Sequence, residues 1–142
     1  MNASFESMKD SAKTEPASEP RRIKVVIVDD DRDTREMLTL ALELEGFEVA
    51  SAANGLRLIS SLHVDRPDVI LLDVMMSWID GFELCRSIKK NEEFQDIPVI
   101  FISARKTGED VQKGLSAGAS DYYTKPVDIE RLTARIREIL AV

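Results

Sequence analysis

Five short apolar runs, each the length of a strand and each followed by a helix-period segment, constrain this chain more than any other feature. They are IKVVIVD (23–29), FEVASA (47–52), DVILLD (68–73), IPVIFIS (97–103) and SDYYTK (120–125). The first, third and fourth are continuous β-branched and apolar runs, the pattern of strands covered on both faces. Between them lie apolar residues at helical spacing. Met37, Leu38, Ala41, Leu42 and Leu44 precede Gly46, and Leu56, Ile59 and Leu62 follow Asn54-Gly55. Phe82, Leu84, Cys85 and Ile88 come next, then Val111 and Leu115 before Gly118, and Ile129, Leu132, Ile136, Ile139 and Leu140 close the chain. A glycine just past the last periodic residue is a usual helix stop. A strand–helix unit repeated five times predicts an α/β fold, a doubly wound parallel sheet with right-handed crossovers.

At 142 residues the chain has the length of one domain. Residues 1–22 are rich in Ser, Ala, Glu, Lys and Pro without period, the composition of a disordered tail, and the folded domain is expected over 23–142. A net charge of −7 argues against direct nucleic-acid binding, which needs a basic face. No apolar run approaches the length that spans a bilayer, so membrane insertion is not expected. The polar N-terminus has no signal-peptide core, and a cytoplasmic location is the expectation. The single cysteine, Cys85, and single histidine, His63, exclude an internal disulfide and a Cys/His zinc site.

In an open doubly wound sheet, sites form at the carboxyl ends of the strands. Here the first strand ends in Asp29-Asp30, the third in Asp73, the fourth in Ser103 and the fifth in Lys125-Pro126. Three carboxylates, a hydroxyl and an amine from distant parts of the chain therefore converge on one edge. Clustered carboxylates repel unless compensated, and oxygen ligands without His or Cys suit Mg²⁺. Asp31, one position before a helical pattern, fits an N-cap, with Asp33 in the first turn.

The residues VDDD, LLDVMMSWIDGFE, ISA and YYTKP resemble those of the receiver domain of two-component response regulators, over about residues 23–141. The resemblance implies a flavodoxin-like, receiver-like (βα)5 sheet in the order 2-1-3-4-5. It implies that Asp73 is the phosphoacceptor, charged by a sensor histidine kinase or phosphotransfer protein, with Mg²⁺ (or Mn²⁺ in its place) bound. Asp30, Asp73 and the backbone carbonyl of Met75 would ligate the ion directly, and Asp29 mostly through a metal-bound water. Ser103 matches the switch hydroxyl, Lys125 the lysine that pairs with the phosphoryl group, and Tyr122 the aromatic residue that changes rotamer. Pro126 matches a proline that usually follows a cis bond. Met75 and Arg105 occupy positions that tune loss of the phosphoryl group. The surface of the fourth helix, fifth strand and fifth helix would then control a downstream protein or output domain, and a dimer formed on phosphorylation is compatible with this.

Ser77 stands where the family often has proline, which leaves the chemical groups intact. The neighbouring Trp78 is expected to pack against the helix that follows, the alternative being an exposed partner contact. Tyr122 and Tyr123 alternate across a strand, so one must face each side. His63 and Cys85 carry no expected chemistry. Two other functions compete. A degenerate receiver would dock partners without phosphorylation. A Mg²⁺-dependent phosphohydrolase using an aspartyl phosphate would need an acid two residues after the nucleophile, where Met75 stands. No output segment follows Val142, so the expectation is a stand-alone receiver or one excised from a longer chain.

Overall fold

The computed structural model describes residues 21–142; most of the expected tail, 1–20, lies outside the described residues. Arg21, assigned to that tail from composition, forms two hydrogen bonds with the Asp68 carboxylate, at 3.0 and 3.2 Å. Ten elements alternate strictly: β1 (Lys24–Val28), α1 (Arg32–Leu44), β2 (Glu48–Ala52), α2 (Gly55–Val64), β3 (Val69–Leu72), α3 (Gly81–Lys90), β4 (Val99–Ser103), α4 (Gly108–Ser116), β5 (Asp121–Thr124) and α5 (Ile129–Leu140). All strand pairs are parallel, in the order β2-β1-β3-β4-β5. Each strand is one or two residues shorter than its apolar run, because the flanking residues leave the ladder at the sheet edges.

The strand period divides the core in two. Val25, Ile27, Val69, Leu71, Ile100 and Ile102 face α1 and α5, meeting Leu38, Leu42, Leu132 and Ile136. Val26, Val28, Ile70, Leu72, Val99 and Phe101 face α2, α3 and α4, meeting Leu58, Leu62, Leu84 and Ile88. Successive side chains of one strand point to opposite faces, and both faces are covered by helices. Tyr122 accordingly joins the second cluster and Tyr123 the first. Several apolar residues of the helical patterns stay outside both: Met37, Leu44, Leu56 and Leu115 are exposed. Leu38 and Leu42, four apart, define the buried stripe of α1, and Met37 and Leu44 fall on the far side of the helix, more than roughly 100° from it.

Local chemistry starts each helix, at Asp31 as expected. Asp31 caps α1 by accepting from the Thr34 amide, and Asn54, Asp80 and Asp128 do the same for α2, α3 and α5. Thr107 and Asp110 form a reciprocal capping box on α4. After α1 and α4 the chain turns through Gly46 (φ 95°) and Gly118 (φ 107°), a left-handed conformation that glycine adopts without steric cost. No helix among the described residues is long and apolar enough to cross a membrane.

Candidate functional site

β1 and β3 are adjacent, so the residues just beyond them emerge side by side at the carboxyl edge. The Asp29 amide donates to Ala52 of β2 (3.3 Å) and the Asp73 amide to Val28 of β1 (3.0 Å). The main chain that carries both carboxylates is therefore held by the neighbouring strands. Asp29 and Asp73 are buried and Asp30 is exposed. One oxygen from each lies within 4.8 Å of the others.

Lys125, just past β5, reaches across this edge. Its Nζ donates to Asp29 Oδ2 at 2.7 Å and to Asp73 Oδ2 at 3.3 Å. Its backbone amide donates to the Ser103 carbonyl (2.9 Å), and the Lys125-Pro126 peptide is cis. Asp29 Oδ1 accepts from the Asp31 amide at 2.9 Å. Burial raises the Asp29 pKa, against the opposing pull of Lys125 and the Asp31 amide. For Lys125, burial favours the neutral amine, but the bond to Asp29 and the charges of Asp73 and Asp29 outweigh it and raise its pKa. The lysine is thus the charge opposite the acidic pair in the protein alone.

The remaining expected residues lie around this core. The Met75 amide donates to Asp73 Oδ1 (3.3 Å), while the Met75 side chain is 55% exposed. The Ser77 hydroxyl is 3.5 Å from Asp30 Oδ2. Ser103 is completely buried, and its Oγ accepts from the Arg105 amide at 3.2 Å. Tyr122 is buried, its ring centroid 5.8 Å from that of Phe101, and its hydroxyl donates to the Arg105 carbonyl at 2.5 Å. Arg105 does not point to the carboxylate cluster. Its guanidinium pairs with Asp110 at 2.8 Å and lies 5.9 Å from the Phe82 ring centre. The Thr107 hydroxyl, the Thr107 amide and Arg105 hold the Asp110 carboxyl below the usual range, against its burial.

Trp78 departs from the expected packing against α3: its side chain is 99% exposed, and its backbone takes φ 82°. The left-handed backbone at this position in the β3–α3 loop turns the indole to solvent beside the similarly exposed Leu56. Cys85 is buried, its Sγ 3.5 Å from the Ala117 carbonyl, and burial pushes its pKa up to about 11. That keeps it a thiol.

Three further residues contribute to the site, of which Gly81 alone stands within a motif quoted above, LLDVMMSWIDGFE. Gly81 sits where an added Cβ would lie 2.3 Å from the Asp73 carbonyl oxygen, so the loop after Asp73 closes only over a glycine. Asp110 anchors Arg105; the Thr-x-x-Asp spacing of Thr107 and Asp110 carries the signal of a capping box. Arg35 donates to the Asp29 carbonyl at 2.8 Å, a tertiary contact with no local signal.

The residues fit a hard divalent cation. The donor set is oxygen only, and Asp29 already accepts two donors while Asp30 accepts a single long contact. Mg²⁺ holds ligands at about 2.0–2.1 Å and keeps several waters, so two direct carboxylates with a third acting through water suit it.

Comparison with known proteins decides the family. Residues 25–137 match the model of the response regulator receiver domain. The chain belongs to that family. It is 48% identical over 116 residues to the transcriptional regulatory protein CseB of Streptomyces coelicolor, covering 82% of this chain and 48% of that protein. It is 39% identical over 118 residues to the response regulator MprA of Mycobacterium bovis, covering 83% of this chain and 50% of the other. The chain therefore spans about half the length of the curated relatives it matches. Among solved structures, a putative response regulator from Chloroflexus aurantiacus superposes with a TM-score of 0.81 at 33% identity, over 86% of this chain and 100% of that one. The BeF3-activated DrrB receiver domain does so with a TM-score of 0.76 at 31% identity, over 86% and 100%. This receiver domain is thus a component of two-component signalling by family.

Proposed function

We propose that this receiver accepts a phosphoryl group on Asp73 from a phosphohistidine of a sensor kinase or phosphotransfer protein, and that the modification resets the α4-β5-α5 surface to control a partner or output domain. The observation that carries the reading is the convergence of Asp73 with Asp29, Asp30 and Lys125 at one sheet edge. In the transfer, an Asp73 oxygen forms the new O–P bond as the N–P bond to the donor imidazole breaks, and the imidazole leaves. Catalysis of such a transfer is positioning and charge stabilisation.

Asp29, Asp30, Asp73 and the Met75 carbonyl would hold Mg²⁺, which would supply positive charge to the transferring phosphoryl group. Lys125 adds a second cation, its Nζ 3.3 Å from Asp73 Oδ2. Ser103 donates to a phosphoryl oxygen once it leaves the Arg105 amide. That shift moves the loop whose Arg105 carbonyl receives Tyr122, which is how the change at the site reaches α4, β5 and α5. Met75 is placed to govern the approach of water to the acyl phosphate.

CseB is named a transcriptional regulatory protein, which supports a transcriptional output for signalling through this receiver. Incubation with acetyl phosphate and Mg²⁺, followed by intact mass, tests the reading. The native protein gains one phosphoryl group and Asp73→Asn gains none; equal modification of both would overturn the assignment.

A further inference from the structure

Gly114 lies inside α4, buried, at a position where helix propensity argues for almost any other residue. Its neighbour Gly108, in the same helix, has open space: a Cβ there would meet nothing within 4 Å. At Gly114 an added Cβ would lie 2.9 Å from Cδ2 of Tyr122 and 3.0 Å from Cδ2 of Phe101. The first distance is closer than real Cβ atoms come and the second is tighter than nearly all of them, so at least one of the three groups would have to give way.

The surroundings decide which. Phe101 belongs to β4, is completely buried and is flanked by β3 and β5, so its ring has no exit. The helix is tied at its start, because Thr107 and Asp110 form its capping box and Asp110 also holds Arg105. Displacing α4 outward would strain both contacts. Tyr122 sits on β5, the edge strand, and is held inward by one hydroxyl bond to the Arg105 carbonyl and by contact with Phe101. Rotation about its Cα–Cβ bond is the available relief.

We propose that Gly114 is the positioning residue that opens the inward seat of Tyr122, so that the absent side chain at 114 sets the balance between the inward and outward tyrosine. The seat itself stands on packing alone; its consequence for signalling rests on the reading of Tyr122 as the link between the phosphoacceptor and the α4-β5-α5 surface.

The test is a reversal of sign. In a Tyr122→Ala background the 2.9 Å contact is gone and the vacated seat lets the Phe101 ring give way by the small shift its own 3.0 Å contact needs, so Gly114→Ala should raise the denaturation midpoint, as helix propensity dictates. In the otherwise native protein the same substitution should lower the midpoint and abolish the NOEs between the Tyr122 and Phe101 rings. Failure of Gly114→Ala to fold, with folding restored by Tyr122→Ala, is the same result in extreme form. A midpoint raised equally in both backgrounds would overturn the proposal. So would a lowered midpoint with the ring NOEs intact, since α4 rather than the tyrosine would then have moved. The functional consequence is read separately, by titrating beryllofluoride with Mg²⁺ and following amide shifts in α4 and β5. Phosphorylation should draw Ser103 toward the phosphoryl group and favour the inward tyrosine that fills the space it leaves, so Gly114→Ala should need several-fold more ligand for half the response. A native protein without any beryllofluoride response would overturn the phosphoacceptor reading, while the midpoint reversal would still decide for or against the seat.

Discussion

Lys125 holds Asp29 more closely than Asp73: its Nζ lies 2.7 Å from one carboxylate and 3.3 Å from the other. Without it the buried Asp29 would keep only the Asp31 amide as a donor. Removing one member of such a pair leaves an uncompensated polar group, at a cost of about 1–3 kcal/mol. Lys125→Met should therefore destabilise the protein by that order in metal-free buffer, and Mg²⁺ should recover part of the loss by replacing the missing charge. Urea midpoints in EDTA and in saturating Mg²⁺ measure both. An identical loss in the two conditions would show that lysine and cation do not share the cluster.

Gly81 and Gly108 make a controlled pair. A Cβ at Gly81 would collide with the Asp73 carbonyl at 2.3 Å and Val74 Cα at 2.8 Å, whereas one at Gly108 meets nothing within 4 Å. Overpacking against backbone costs about 1–3 kcal/mol. Gly81→Ala should lose stability by about that much and slow phosphorylation of Asp73, while Gly108→Ala should be neutral or slightly stabilising. Denaturation curves and the rate of mass gain from acetyl phosphate distinguish them. Equal behaviour of the two variants would contradict the close-approach argument.

Trp78 places a bulky residue at φ 82° with nothing gained by burial. The left-handed conformation costs an L-residue about 1–2 kcal/mol, and the greater freedom of glycine in the unfolded chain returns about 0.5–1 kcal/mol of that. Trp78→Gly should then stabilise the protein by roughly 0.5–1 kcal/mol. A lower urea midpoint for the variant would mean that the indole is packed in solution.

Met75 stands two residues beyond Asp73, half exposed, and its thioether offers no hydrogen bond strong enough to orient a water. Hydrolysis of an acyl phosphate needs a water in line with phosphorus, and a polar side chain can position it. Replacing Met75 with Asn or Glu should accelerate loss of the phosphoryl group under saturating Mg²⁺. Decay after removal of the donor gives the rate, and unchanged or slower decay would show that water access is governed elsewhere.

The sheet and its carboxyl edge were legible because their signals are local. Three strands are continuous β-branched runs buried on both faces, and Asp29, Asp73, Ser103 and Lys125 stand at or next to strand ends. Helix starts were legible at Asp31 for the same reason, a capping side chain three residues from its amide. What escaped depends on contacts across the fold. Gly114 is explained only by Tyr122 and Phe101, residues of two strands, and Arg105 is turned from the carboxylates only by Asp110. The exposure of Trp78 follows from a backbone angle that no propensity of tryptophan encodes. Met37 and Leu56 sat on helical spacing yet face solvent, because a helix buries only the stripe opposite the sheet.

If chemistry at Asp73 is transmitted through Ser103, Arg105 and Tyr122 to a distant surface, that surface must respond when the site is filled. Backbone amide NMR of the native protein, with and without beryllofluoride in saturating Mg²⁺, tests this most directly, with Asp73→Asn as the control. A two-state element biased by the added contacts should answer as a unit. Shifts are expected at Asp29, Asp30 and Asp73 and also through α4, β5 and α5, roughly Thr107 to Arg137, and none in Asp73→Asn. Shifts confined to the loops of Asp29 and Asp73 would contradict transmission to that surface.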